Sequence, residues 1–250
     1  MNRQAVSPLG TRSTDLVLQA YMLGPIEFEA ALALQRRLAF QVAGESDHGA
    51  LVLCEHSPLV TIGRHGSRAH IRCEYEELRL RGWPVRWVNR GGGCILHVPG
   101  QLAIYPIVAL DRLRLGLEEY QQRLRAVAMS VLGDFAIAGE TRPGSSCIWV
   151  GRRPIAAVGV AVRSWVTYYG MVLNIHPDLE LFRRITCADP EAAAMTSIER
   201  ERRAPLRPAL VRELILERFA DQFGFRSTSL FFDHPSLSRK APSDAVPAAR

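Results

Sequence analysis

Residues 146–175 read SCIWVGRRPIAAVGVAVRSWVTYYGMVLNI. Three runs rich in Val, Ile, Ala, Thr, Tyr and Trp, at 146–150, 155–162 and 166–175, are separated only by Gly151-Arg152-Arg153 and Arg163-Ser164. Links that short join antiparallel neighbours, so the stretch predicts a three-stranded meander. Upstream, Leu113, Leu117, Tyr120, Leu124, Val127, Ala128 and Val131 recur at three- and four-residue steps through a polar segment, which predicts a strongly amphipathic helix. Similar spacing predicts a helix over 26–42, after the Gly24-Pro25 breaker, and proline opens another over 208–223. The apolar runs 50–54 (ALVLC) and 59–62 flank a Ser57-Pro58 turn and predict strands buried on both faces. A glycine run is expected to join two further strands, 85–88 and 101–108. Strands outnumber helices, and the fold class is α+β: a mixed, largely antiparallel sheet flanked by helices.

With 250 residues the chain can hide roughly 70–75% of the surface its unfolded form exposes, enough for one domain. Hydrophobic residues at 48% and charged residues at 22% exclude a disordered or collagen-like chain. No apolar run approaches the ~20 residues of a membrane-spanning helix, and Arg3, Arg12 and Asp15 interrupt any export signal, so a cytoplasmic protein with no membrane partner is expected. Residues 1–16 and 226–250 lack periodic hydrophobicity and read as flexible extensions of a domain spanning 17–225. The five cysteines contain no C-x-x-C pair and are expected to be free thiols. A net charge of +6, carried by thirty arginines and a single lysine, Lys240, suits an acidic partner but falls short of a nucleic-acid binder.

Three constellations invite chemistry. In Arg90-Gly91-Gly92-Gly93-Cys94-Ile95-Leu96-His97-Val98-Pro99-Gly100-Gln101, three glycines forfeit backbone entropy, which implies positive φ or a close backbone approach; a wide hairpin loop is the plain alternative. Without G-K-[ST], and not opening a helix, it is no phosphate-binding P-loop. His56, His65, His70 and Cys73 match no metal template, so no metal is expected and the histidines read as surface or supporting groups, with Arg64 and Arg68 hinting at an anion-attracting loop. Cys187 follows the basic pair Arg183-Arg184, where positive potential favours a thiolate.

Taken in order, these pieces resemble the lipoyl/octanoyl transferase family of the lipoate-protein ligase B type, with a catalytic domain shared with biotin and lipoate ligases. The resemblance runs through Glu55-His56-Ser57-Pro58, Gly63-Arg64, Arg90-Gly91-Gly92-Gly93, His97, Pro99-Gly100-Gln101, Gly159, Gly170-Met171-Val172-Leu173-Asn174, Asp178-Leu179, Phe182, Cys187 and Met195-Thr196-Ser197-Ile198. It implies transfer of an octanoyl chain from octanoyl-acyl carrier protein to a lysine of lipoyl domains of 2-oxo acid dehydrogenases, or of the glycine cleavage H protein, with no cofactor. By motif position Cys187 is the nucleophile that holds the acyl group as a thioester. Arg90, Gly91, Gly92, Gly93, Cys94, Ile95, Leu96 and His97, with Ala157, Val158, Gly159, Gly170, Met171 and Val172, are the residues the resemblance places along the acyl channel.

The sequence departs from the family pattern at chemically important positions. The family lysine that favours the cysteine thiolate stands at Pro154, and no lysine of the core replaces it. Arg153 adjoins it but is turned to the other strand face unless a bulge intervenes, and an arginine cannot shuttle a proton. Val98 and Ala188 replace family glycines, and Tyr169 replaces a histidine. His97 is then the motif residue available to accept a proton. Two other readings stand beside the transferase: a divergent, non-catalytic relative that binds an acyl chain or a carrier protein, and an ATP-dependent lipoate ligase, which is expected to need a lysine.

Overall fold

The computed structural model describes residues 16–44, 47–185 and 194–237. Its centre is an eight-stranded sheet formed by β1 (Val17–Pro25), β2 (His48–Glu55), β6 (Gln101–Ile107), β7 (Glu140–Thr141), β8 (Cys147–Val150), β9 (Arg153–Arg163), β10 (Val166–Asn174) and β11 (Ser227–Phe231). The order across the sheet is β11-β1-β2-β6-β10-β9-β8-β7. β1 pairs parallel with β2 and β11, and the other pairs are antiparallel. A second, three-stranded sheet places β3 (Leu59–Ile62) between β4 (Val85–Trp87) and β5 (Cys94–His97).

Helices cover both faces of the large sheet. On one lies α1 (Phe28–Gly44), whose Ala31, Leu34, Leu38 and Val42 meet Val52, Cys54, Ala103, Tyr105 and Ile107. On the other lie α3 (Leu117–Asp134) and α5 (Pro208–Phe223), packed on Leu51, Leu53, Leu102 and Ile104. Alternate residues of β2 and β6 thus enter opposite cores, which is why both strands read as unbroken apolar runs. Two short helices, α2 (Tyr75–Leu80) and α4 (Ile198–Arg202), complete the set. Among the described residues no helix is long and apolar enough to cross a membrane.

The expected meander is present as β8, β9 and β10, and the fold class is the mixed, helix-flanked α+β sheet read from the sequence. Four details differ. The segment after the glycines does not run straight into β6, because Cys94–His97 first pairs with β3; four residues are too few to show a periodicity. The long helix starts at Leu117 rather than Leu113, because Gly116 caps it and Arg114 takes φ 54° in the preceding turn. β1 was not foreseen. Finally, the fold does not stop at residue 225: Ser227–Phe231 lies parallel to β1, in register from Val17↔Ser227 to Tyr21↔Phe231. All five of those residues are exposed, so backbone pairing rather than a buried face holds the strand, and no hydrophobic pattern announces it. The expected extension 1–16 lies, except for Leu16, outside the described residues, as does 238–250 of the expected tail.

Candidate active site

The glycine loop locks onto β9. Gly91 donates its N–H to the carbonyl of Val160 at 2.8 Å, while Gly159, on the same strand, presents no side chain: a Cβ there would stand 2.8 Å from the Gly91 carbonyl oxygen. Gly92 takes φ +76°, and a Cβ on it would meet the Val158 carbonyl at 3.4 Å and the Ser146 hydroxyl at 3.5 Å. The glycine cost foreseen in the sequence is thus repaid by backbone-on-backbone contact at one position and by positive φ at the other. The loop also ties the small sheet to the large one: Gly63, Arg64 and His65 donate their N–H groups to the carbonyls of Gly93, Arg90 and Gly92.

Arg90 is buried, and its guanidinium donates to the Thr61 carbonyl (3.0 Å), the Thr61 hydroxyl (2.7 Å) and the Gly91 carbonyl (2.9 Å). It has no acidic partner among the described residues, and desolvation lowers its pKa to about 10. Thr61 relays this contact to His97, whose Nε2 lies 3.1 Å from the same hydroxyl. The Thr61 oxygen accepts from Arg90 and keeps both a hydrogen and a second lone pair for His97 Nε2, so either tautomer of the ring suits this contact. The ring Nδ1 is buried and has no hydrogen-bond partner.

His56 lies edge-on to His97, ring centres 5.5 Å apart, and is buried rather than on the surface. Its Nδ1 donates to the Ile26 carbonyl at 2.9 Å, so its Nε2 accepts from the Tyr105 hydroxyl at 2.8 Å. Burial pushes the pKa of His56 below its ordinary value and that of His97 well below it, the latter with help from His56 and Arg90. Burial also holds the Tyr105 hydroxyl far above its usual range and raises the Cys54 thiol beside it, so this cluster is neutral except for Arg90. The expectation that His97 accepts a proton near neutral pH is thus not met, because burial keeps the ring neutral.

Two spaces adjoin the loop. One, of only about 10 Å³, is lined by Phe28, Arg90, Ile95, His97, Tyr105, Ala157, Gly159 and Tyr169 to Val172. That is barely the room one water needs. Tyr169 closes it with φ +55°, its N–H capped by the buried Gln35 side chain at 2.7 Å. The other is an open groove of about 770 Å³ along Gly91, Gly92, Gly93, Val158 and Gly159. Of the expected channel residues, Arg90, Ile95, His97, Ala157, Gly170, Met171 and Val172 thus line the small void, the three loop glycines and Val158 line the groove, and Gly159 lines both. Cys94 and Leu96 are the exceptions: they alternate onto the other face of β5, into the core beneath the small sheet. Phe28 and Tyr105 were missed, since only a hydroxyl inside the apolar run QLAIYPIV marked Tyr105 as more than core.

Cys187 lies outside the described residues. Of its described flanks, Ile185 bridges to Ile71, and Thr196 donates its N–H to the Pro154 carbonyl at 2.9 Å. Pro154 is buried opposite Trp149, beside a bulge where β9 shifts register against β8. Arg153 is held by Glu201 (2.9 Å), which also accepts from the Thr196 hydroxyl, so its charge is already committed. The three histidines and the cysteine whose spacing matches no metal template part company: His56 joins His97, His65 lines the groove, His70 caps a 3-10 turn with Ser67 and Cys73 sits under the small sheet. No group of three or more His, Cys, Asp or Glu suited to a metal ion occurs among the described residues.

Residues 27–223 match the family model for the lipoyl protein ligase A/B catalytic domain. The chain belongs to this family. It is 37% identical over 178 residues to an octanoyltransferase of Syntrophobacter fumaroxidans, covering 71% of this chain and 78% of that one. It is 38% identical over 197 residues to an octanoyltransferase of Geobacter metallireducens, with coverages of 79% and 89%. Its fold is that of a lipoate-protein ligase A solved with ATP, with a TM-score of 0.69, 14% identity and 87% of each chain covered. The relatives' shared activity makes the protein an acyltransferase of this family.

Proposed function

We infer that the protein moves an octanoyl group from octanoyl-acyl carrier protein to a lipoyl-domain lysine through a thioester on Cys187. Octanoyl transfer in lipoate biosynthesis is the activity that relatives at 37% and 38% identity, over most of their length, support. Acyl carriers and lipoyl domains are the corresponding classes of partner; lipoyl domains of 2-oxo acid dehydrogenases and the glycine cleavage H protein are the acceptors we propose, with the reaction in the cytoplasm.

In the first step the Cys187 thiolate attacks the thioester carbonyl, a new C–S bond forms, and the carrier's sulfur leaves and takes up a proton. In the second, the lysine amine attacks the enzyme thioester, an amide forms, the amine gives up a proton and the Cys187 thiolate is restored. The loop backbone, and the unpartnered Nδ1 of His97 when it carries the ring hydrogen, offer hydrogen bonds to the carbonyl oxygen as its negative charge develops. The observation that carries this reading is the interlock of Gly91 and Gly92 with Val158 to Val160, which sets the glycine loop and β9, two of the segments expected along the acyl channel, side by side on one groove.

A binding role without turnover is favoured by one feature, the uncharged Pro154 beside an Arg153 already held by Glu201. Incubation of the protein with octanoyl-acyl carrier protein and a lipoyl domain separates the two. Acceptor gaining one octanoyl group, lost in Cys187→Ala, supports transfer; carrier binding with no acceptor modification supports the binder.

A further inference from the structure

The open groove is charged in a way the acyl chain does not explain. One wall is α3, whose Gln121 and Arg125, one helical turn apart, face the groove while Tyr120 and Leu124 enter the core. The groove is also lined by Arg64, just beyond β3 and beside Gly91, and by Ser145 and Ser146, of which Ser145 already accepts from Cys147 N–H and Trp149 Nε1–H. Neither Arg64 nor Arg125 has an ion pair among the described residues, whereas Arg142, nearby, is bound to Glu140 at 2.8 Å and stacked on Trp149 at 4.3 Å. Arg68, the other arginine of the expected anion-attracting loop, is spent on the carbonyls of Ile71 and Cys73. No backbone partner occurs for the N–H of Gly92 or Gly93 among the described residues.

Arg125 is half-buried, and burial lowers its pKa. A partly desolvated guanidinium without a counter-ion is an unfavourable arrangement that a bound anion relieves. The groove contains no carboxylate among its described lining residues, and at Gly159 it meets the small void. An occupant suited to it carries an anion and hydrogen-bonding groups, and on the octanoyl-transfer reading an acyl group at the Gly159 end.

We propose that this groove receives the phosphopantetheine arm of the acyl donor, with Arg125 holding its phosphate, Gln121 and Ser146 meeting its amides, and Gly159, near Arg64, marking the thioester end. The proposal rests on the octanoyl-transfer reading for the identity of the donor. A phosphodiester and two amides are what such an arm presents between carrier and thioester. Arg is suited to the phosphate because its planar fork donates two parallel hydrogen bonds. A nucleotide offers the same phosphate chemistry, and the experiment separates the two.

Binding of 4′-phosphopantetheine, of pantetheine and of ATP is measured by calorimetry on the full chain and on Arg125→Gln and Arg125→Lys. Octanoyl-4′-phosphopantetheine and octanoyl-pantetheine are compared as donors in parallel. The phosphorylated arm should bind at least about 10-fold tighter than pantetheine, the worth of one charge-assisted phosphate contact. Arg125→Gln should bring that ratio close to one, Arg125→Lys should keep part of it, and added salt should shrink it in the full chain. Unchanged melting temperatures in both variants separate this from a structural role. Equal binding of the two arms, or a phosphate preference that survives Arg125→Gln, overturns the proposal. So does ATP binding that depends on Arg125 while phosphopantetheine does not bind. If the phosphate preference is found but neither donor is turned over, the transfer reading fails and the groove assignment stands.

Discussion

Lowering the pH should unfold this protein through His56 and His97. Both rings are buried and neutral, tied to Ile26, Tyr105 and Thr61, with Arg90 one hydroxyl away from His97. Their pKa values in the folded state lie below the ordinary histidine value, so the unfolded chain binds protons that the folded chain refuses. Stability from this source is fully present above the unfolded pKa, near 6.5, and is lost as pH falls below it. Between about pH 7.5 and 5.5 each unfolded histidine takes up close to one proton, so a ring that stays neutral in the fold through that range costs it about 1.4 kcal/mol; His97, held well below the ordinary value, contributes this much and His56 acts in the same direction. Urea unfolding at about pH 7.5, 6.5 and 5.5 measures it; with a slope near 3 kcal/mol per molar, the midpoint should fall by at least about 0.5 M. His97→Asn removes the larger of the two titrations, so the fall should shrink. A midpoint that stays constant or rises on acidification would mean that an imidazolium is accommodated beside Arg90, and the neutral cluster described above would be wrong.

Three further outcomes are expected. Gly92→Val places a branched side chain at φ +76° within 3.4 Å of the Val158 carbonyl, and should lower the melting temperature by a few degrees, about 1–2 kcal/mol, while abolishing acyl transfer; loss of stability with transfer intact would reduce the loop to a plain connection. Tyr169→Gly removes both the ring that closes the void and a strained φ of +55°, so the ratio of decanoyl to octanoyl transfer should rise at least severalfold, and an unchanged ratio would move the acyl chain elsewhere. Pro154→Lys should shift the pH profile of Cys187 alkylation downward by about one unit relative to Pro154→Ala, because a cation within about 4–6 Å favours the thiolate; coincident lysine and alanine profiles would show that position 154 does not face Cys187.

Much of this molecule was legible because its signals are local. The meander announced itself by short links between β-rich runs, and Pro208 marked the start of α5 to the residue. The glycine loop was readable as a close backbone approach, although what it approaches, β9, lies some seventy residues away in the chain. β11 escaped because its edge pairing leaves it fully exposed, and β5 because four residues carry no period. His56 looked like a surface histidine, since nothing nearby in sequence tells that Tyr105 and Ile26 will satisfy its two nitrogens. The loss of Cys94 and Leu96 to another core follows from strand alternation in β5, an element the sequence did not reveal, and alternation along β9 sends Ala157 to the small void and Val158 to the groove.

The account stands on covalent chemistry at Cys187, and intact mass after incubation with octanoyl-acyl carrier protein tests that directly. In the absence of acceptor the protein should gain the mass of one octanoyl group. Peptide mapping should place it on Cys187, hydroxylamine should remove it, and a lipoyl domain should discharge it. The buried thiols of Cys54, Cys73, Cys94 and Cys147 should carry none. An octanoyl group on one of those four, or octanoylated acceptor formed equally well by Cys187→Ala, would contradict the account.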